Sequence, residues 1–157
     1  MGIKEDLLKQ LKDKFEESKK ELGLKYNLDE IDKYFFIKDL VLEKEFVSED
    51  FSNQLRNRIM DVMISWDNYL HSLIMPNPQN LFNLNESKAF NESEKKEIMA
   101  MMSRVAYLVA LNGLARLTRD KKQETKVIND SLKFWKEDYI PFFTKIMEKI
   151  EKVWRKE

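Results

Sequence analysis

The segment from Ile98 to Leu117 constrains the fold of this chain more than any other. Ile98, Met99, Met101, Met102, Val105, Tyr107, Leu108, Val109, Leu111, Leu114 and Leu117 fall on nearly every face of the helix their spacing describes. A helix apolar all round is expected to be buried all round. Asn91 and Glu94 stand at capping-box spacing just ahead of it. The segment therefore predicts a central helix over about 92–118 with other helices around it. Ser103, Ala106, Ala110 and Gly113, three or four apart, give that helix one small-residue edge. The simplest use of such an edge is dense packing against a neighbouring backbone, rather than a ligand groove.

The rest of the chain has the means to supply those neighbours. Only three Gly and three Pro interrupt 157 residues, 36% of which are charged and 43% apolar, a composition of amphipathic helices rather than of a turn-rich sheet protein. Ile3, Leu7, Leu8, Leu11, Phe15 and Leu22 form one stripe, and Gly23 follows as a left-handed cap. Asn27 and Glu30 mark a second helix start. Its continuation is ambiguous, because residues 34–47 are rich in aromatic and branched side chains and fit helix or strand. Ser48 opens a third helix with the stripe Phe51, Leu55, Ile59, Val62, Trp66, Leu70 and Leu73, and a second row of Met60, Met63, Ile64 and Ile74. Met75-Pro76-Asn77-Pro78 stops it. Residues 75–91 are expected to form a long irregular loop, pinned by Leu81, Phe82, Leu84 and Phe90 or serving as a partner-binding segment.

Beyond the central segment, the polar tract Thr118–Glu124 is a connection or an exposed turn of one very long helix. Val127, Ile128, Leu132 and Trp135 then mark a fifth helix. Pro141 begins or kinks the last one, with Phe143, Ile146, Met147, Ile150, Val153 and Trp154. The expected fold is all-α: a single-domain bundle of five to six helices, residues 1–157, around the buried helix.

Composition also narrows function. Twenty-eight basic and twenty-eight acidic residues cancel, so no net field draws nucleic acid or anionic lipid. The absence of Cys removes thiol chemistry and is compatible with a reducing cytoplasm. The acidic start Met1-Gly2-Ile3-Lys4-Glu5-Asp6 lacks an apolar signal core, and no run of about 18 consecutive apolar residues occurs. A cytoplasmic protein without a membrane partner is expected.

Charge is nonetheless uneven. Leu28–Asp50 is acidic, whereas Glu92–Lys126 holds eight bases against five acids. Arg116, Arg119, Lys121, Lys122 and Lys126 could contact phosphates, with Arg56 and Arg58 extending the patch. No interleaved aromatics accompany them to stack bases, so a solvated face or pairing with the acidic stretch is the simpler reading. Arg104, inside the most apolar helix, calls for a buried carboxylate partner, with Asp61 or Asp67 the nearest suspects.

Asp67 and His71 share a helix face at metal-binding spacing, but the single His and absent Cys leave any site to be completed by carboxylates. Glu94 and Glu97 form one Glu-x-x-Glu step of the type seen in helical magnesium-dependent hydrolases, with no second step opposite. Phosphate-binding glycine loops and nucleophile elbows are absent. No cofactor is implied. The expected function is a non-enzymatic helical interaction or assembly subunit, self-associating as a two-fold dimer. The alternatives are a nucleic-acid-associated subunit using residues 116–126, or a hydrolase or metal-binding protein around Asp67 and His71.

Overall fold

The computed structural model describes residues 2–155. The chain is an all-α bundle, as its composition predicts. Its helices are α1 (Ile3–Leu22), α2 (Leu28–Phe35), α3 (Ile37–Lys44), α4 (Phe51–Ile74), α5 (Leu81–Lys88), α6 (Glu92–Thr118), α7 (Lys121–Phe134) and α8 (Ile140–Arg155), with a π-helical turn at Trp135–Tyr139.

Local chemistry sets most of the boundaries. Gly23 adopts φ 70° after α1, as its position predicts. The Asn27 side chain accepts the Glu30 N–H at the start of α2. Ahead of α6 the capping box is reciprocal: Asn91 Oδ1 accepts from Glu94 N at 2.8 Å, and Glu94 Oε1 accepts from Asn91 N at 3.1 Å. The third predicted helix starts later than Ser48, because Asp50 caps Asn53 N.

Three stretches differ from expectation or resolve an ambiguity in it. Of residues 34–47, the stretch up to Lys44 is helical and Glu45, at φ 58°, ends it, with α2 and α3 separated at Phe36, whose φ is 54°. Asp32 Oδ1 accepts the Lys38 N–H at 2.8 Å and so caps α3, a role the Phe36 side chain cannot fill. The expected loop at 75–91 contains α5, capped by Asn80. Arg119, at φ 55°, separates α6 from α7, so the polar tract is a connection rather than part of one long helix. Pro141 neither starts nor breaks α8. The proline ring crowds the carbonyl four residues back, and the wider π turn just before it accommodates that demand.

The residues cluster into two compact units, Met1–Val62 with Leu108–Leu132, and Met63–Tyr107 with Lys133–Glu157. In the first, Leu11, Phe15, Ile31, Phe35, Val41, Phe51, Leu55 and Ile59 are buried with Val127, Ile128 and Leu132, and Phe15 meets Phe51 edge-on at 6.4 Å. Thr125 Oγ1 donates to the Leu22 carbonyl, and Asn129 Oδ1 accepts from Lys25 N, tying α7 to the end of α1. In the second unit a ladder of rings forms the core. Trp135 stacks on Tyr139 at 4.3 Å, Tyr139 stacks on Phe143 at 5.7 Å, and Trp66 meets Phe143 edge-on at 5.2 Å. Trp66 itself stays half exposed.

A polar network lies within the first unit. Arg56 is buried, on a helical row with Met60 and Met63. Its Nη1 donates to Asn112 Oδ1 at 2.7 Å, its Nη2 to Glu124 Oε1 at 3.0 Å, and its Nε to Ser52 Oγ at 3.3 Å. Ser52 Oγ in turn donates to Glu124 Oε1. Burial lowers the Arg56 pKa, and the Glu124 charge and hydrogen bond pull it back up. Removing Glu124 leaves the Arg56 charge, 3% exposed, buried and uncompensated, whereas Glu124, 13% exposed, lies nearer to water when Arg56 is removed. Glu124→Ala is therefore expected to cost about 3–5 kcal/mol in urea unfolding, and Arg56→Met, which fills the space without a charge, distinctly less. Equal losses for the two variants would mean that the pair is not what holds these helices together.

Candidate functional site

Helix α6 has the predicted extent but not the predicted environment. Ile98, Val105, Leu108, Leu111, Asn112 and Ala115 are buried on one side. On the other, Met99 is 57% exposed, Tyr107 56%, Leu114 50% and Leu117 84%, and Ala100, Ser103, Ala106 and Ala110 are exposed between them. At 100° per residue these positions form one continuous arc. By length and hydropathy α6 is sufficient to cross a membrane, yet only 28% of its most apolar stretch is buried. Burial on every side, expected from apolarity alone, is therefore corrected: the chain covers one face and leaves the opposite apolar face to solvent.

Arg104 lies at the border of that arc. Its predicted buried pairing with Asp61 or Asp67 does not form. The side chain is 52% exposed and donates through Nη2 to Asp138 at 2.6 Å, with its guanidinium 4.5 Å above the Phe134 ring. Asp61 is exposed. The charge is solvated by leaning out of the helix rather than neutralised in the core.

Asp67 is half-buried and accepts the Tyr139 hydroxyl at 3.4 Å. Burial pushes its pKa up to about 6, with the Tyr139 hydrogen bond and the nearby His71 pulling it down. His71 is exposed, and among the described residues no group of three or more His, Cys, Asp or Glu is placed to hold a metal ion. Glu94 and Glu97 line a cleft of about 460 Å³ that Glu137 and Asp138 also line. The Lys149 ammonium binds Glu94 at 2.6 Å and holds its carboxyl below the usual range, and Asp138 is committed to Arg104.

The basic set is dispersed in role. Lys121 pairs with Glu21 and Lys126 with Asp130. Arg56 is internal, and Arg58 donates to the Phe35 and Phe36 carbonyls where α2 ends. Arg116, Arg119 and Lys122 remain exposed. Arg116 and Arg119 line a polar cleft of about 620 Å³ in the first unit, with Arg56, Glu124, Glu49 and Asp50 among the other walls. Two ion pairs in its walls, Arg56 with Glu124 and Lys121 with Glu21, join α7 to α4 and to α1.

The 75–91 segment is anchored by polar contacts that its composition did not reveal. Glu86 accepts from the Tyr69 hydroxyl at 2.9 Å and from Trp154 Nε1 at 2.8 Å, and Ser87 Oγ donates to the Leu73 carbonyl. Of the four apolar side chains expected to pin it, Phe90 is buried, whereas Leu81 and Phe82 are exposed. Phe82 rests on the Trp154 ring at 5.3 Å.

The raised pKa of Asp67 fixes a pH dependence. An acid that binds its proton more tightly when folded stabilises the fold below its unfolded pKa, near 3.8, and that stability is lost as pH rises through about 6. Asp67→Asn keeps an acceptor for Tyr139 and removes the half-buried charge. Its unfolding free energy from urea titration should exceed that of the wild type at pH 7.5 by about 1–2 kcal/mol after allowing for partial solvation, and the difference should vanish near pH 4. A constant difference across that range would place Asp67 in a water-like setting.

Comparison with known protein families, with characterised proteins and with solved structures finds no match.

Proposed function

We propose that this chain is a non-enzymatic helical assembly subunit of the cytoplasm, acting through self-association. The observation that carries the reading is the exposed apolar face of α6, on the same helix whose other face lies in the core. Extended apolar surface of this kind characterises interaction sites, and two-fold pairing is the commonest way for identical chains to cover it. The clefts add to the case, since their carboxylates and bases are largely engaged with one another instead of converging on a reacting group. The cysteine-free sequence suits a reducing compartment.

The test is the mass in solution. Light scattering after size-exclusion chromatography at micromolar concentration should give about twice the 18.9 kDa of one chain. A mass of one chain that persists as concentration rises would remove the proposal.

A further inference from the structure

We infer that the cleft of the first unit binds a doubly charged phosphate group, free or carried on a small ester, through Arg56, Arg116 and Arg119. Such a site is independent of the self-association proposed above. At about 620 Å³ the cleft is of the size that takes a small molecule.

Arg56 is the fixed donor. Its side chain is only 3% exposed, and it gives three of the five N–H groups of a guanidinium to Asn112, Glu124 and Ser52. One N–H on each Nη is left over. A group already held in place has little rotamer freedom to lose on binding. Asn112 also locates the second arginine, because Arg116 stands four residues on and so occupies the same face of α6 one turn further along. Burial lowers the Arg56 pKa, and the Arg116 charge adds to the effect. The two guanidinium groups are thus within electrostatic reach, and an anion between them relieves their repulsion. Arg119 lines the same cleft from the left-handed turn that ends α6. Among the described residues neither the Arg116 nor the Arg119 side chain has an ion-pair or hydrogen-bond partner. Helices α4 and α7 also begin in these walls, at Phe51 and Lys121, and their positive dipole ends add to the field.

The acids of the cleft decide which anion fits. Of the five in its walls, Glu124 is held by Arg56, Glu21 by Lys121 and Glu17 by Lys14 at 3.9 Å, and Asp50 accepts the Asn53 N–H. A phosphate monoester carries about 1.5 to 2 negative charges and three acceptor oxygens, which matches several planar guanidinium donors at once. A carboxylate brings a single charge and two oxygens. A nucleic-acid strand fits less well, because its next phosphates meet the carboxylates of Glu17, Glu21 and Glu49 in the same walls. Phe51, the one aromatic residue lining the cleft, is buried and offers no face for a base.

The test is a titration with inorganic phosphate at pH 7.5 and constant ionic strength. Exclusion of phosphate from protein surfaces stabilises in proportion to its concentration, whereas a site saturates. The melting temperature should rise by about 3–5 °C by ten times the half-saturating concentration and then level off. The double variant Arg116→Gln/Arg119→Gln changes two exposed side chains, so its melting temperature without phosphate should match the wild type. Its half-saturating concentration should be at least about tenfold higher. A rise that stays linear, or one that the double variant keeps undiminished, would overturn the inference. Amide NMR shifts in the same titration should centre on residues 115–121, and shifts centred elsewhere would remove the site from this cleft.

Glycerol 3-phosphate binding more tightly than inorganic phosphate would identify an ester as the occupant, and equal or weaker binding would identify free phosphate. A thymidine decamer bound more tightly than either, and lost in the double variant, would assign the arginines to nucleic acid and overturn the small-ligand site. None of these readouts depends on the mass in solution, so the site and self-association fail or hold separately.

Discussion

A helix with apolar residues around its whole circumference needs apolar neighbours on all sides, and the arrangement of this chain follows from how far α6 obtains them. Ile98, Val105, Leu108, Leu111 and Ala115 are buried. The opposite arc, from Met99 to Leu117, meets solvent. Hydrophobic burial scales with the area removed from water, so the covered side anchors the helix and the open side retains a drive to associate. The assembly reading grows from that imbalance.

Polar groups inside the fold are handled by pairing where burial is deep and by leaning outward where it is shallow. Arg56 is nearly sealed from solvent, and its guanidinium is met by Asn112, Glu124 and Ser52. Arg104, on the apolar helix itself, sits at the edge of the buried arc, and its side chain reaches Asp138 at the surface. The difference is one of helix phase. Arg56 shares a row with buried Met60 and Met63, so its charge needs fixed partners, whereas the Arg104 row borders water and a weak exposed pair suffices.

Much of this was legible in advance, and the legible part has a common physical character. The Asn27 and Asn91 caps and the Gly23 terminator involve hydrogen bonds between residues no more than four apart. The relevant chemistry therefore lies within a short window of sequence. Arg56 was not legible in this way: its charge places it with Arg58 beside a basic patch, whereas the structure buries it next to Met60 and Met63. The break at Phe36 was not legible. Its cap comes from Asp32, six residues before the amide it satisfies, and Arg58 holds the preceding carbonyls from a separate helix. Nor was the anchoring of α5, where Glu86 meets Trp154 across 68 residues.

The sequence by itself determined that the chain is helical and where most of its longer helices begin and end, but not α5 or the helical state of 34–44, and it singled out α6 as apolar on nearly every face. These follow from short-range hydrogen bonding and side-chain periodicity, which any chain with this order of residues shares. Only the tertiary structure decided which arc of α6 is covered, that Arg104 pairs with Asp138, and that Arg56 and Glu124 close a buried network. Each depends on which distant helix arrives at which face, and that is settled by competition among several apolar stripes for a limited number of neighbours, a property of the whole chain rather than of any window within it.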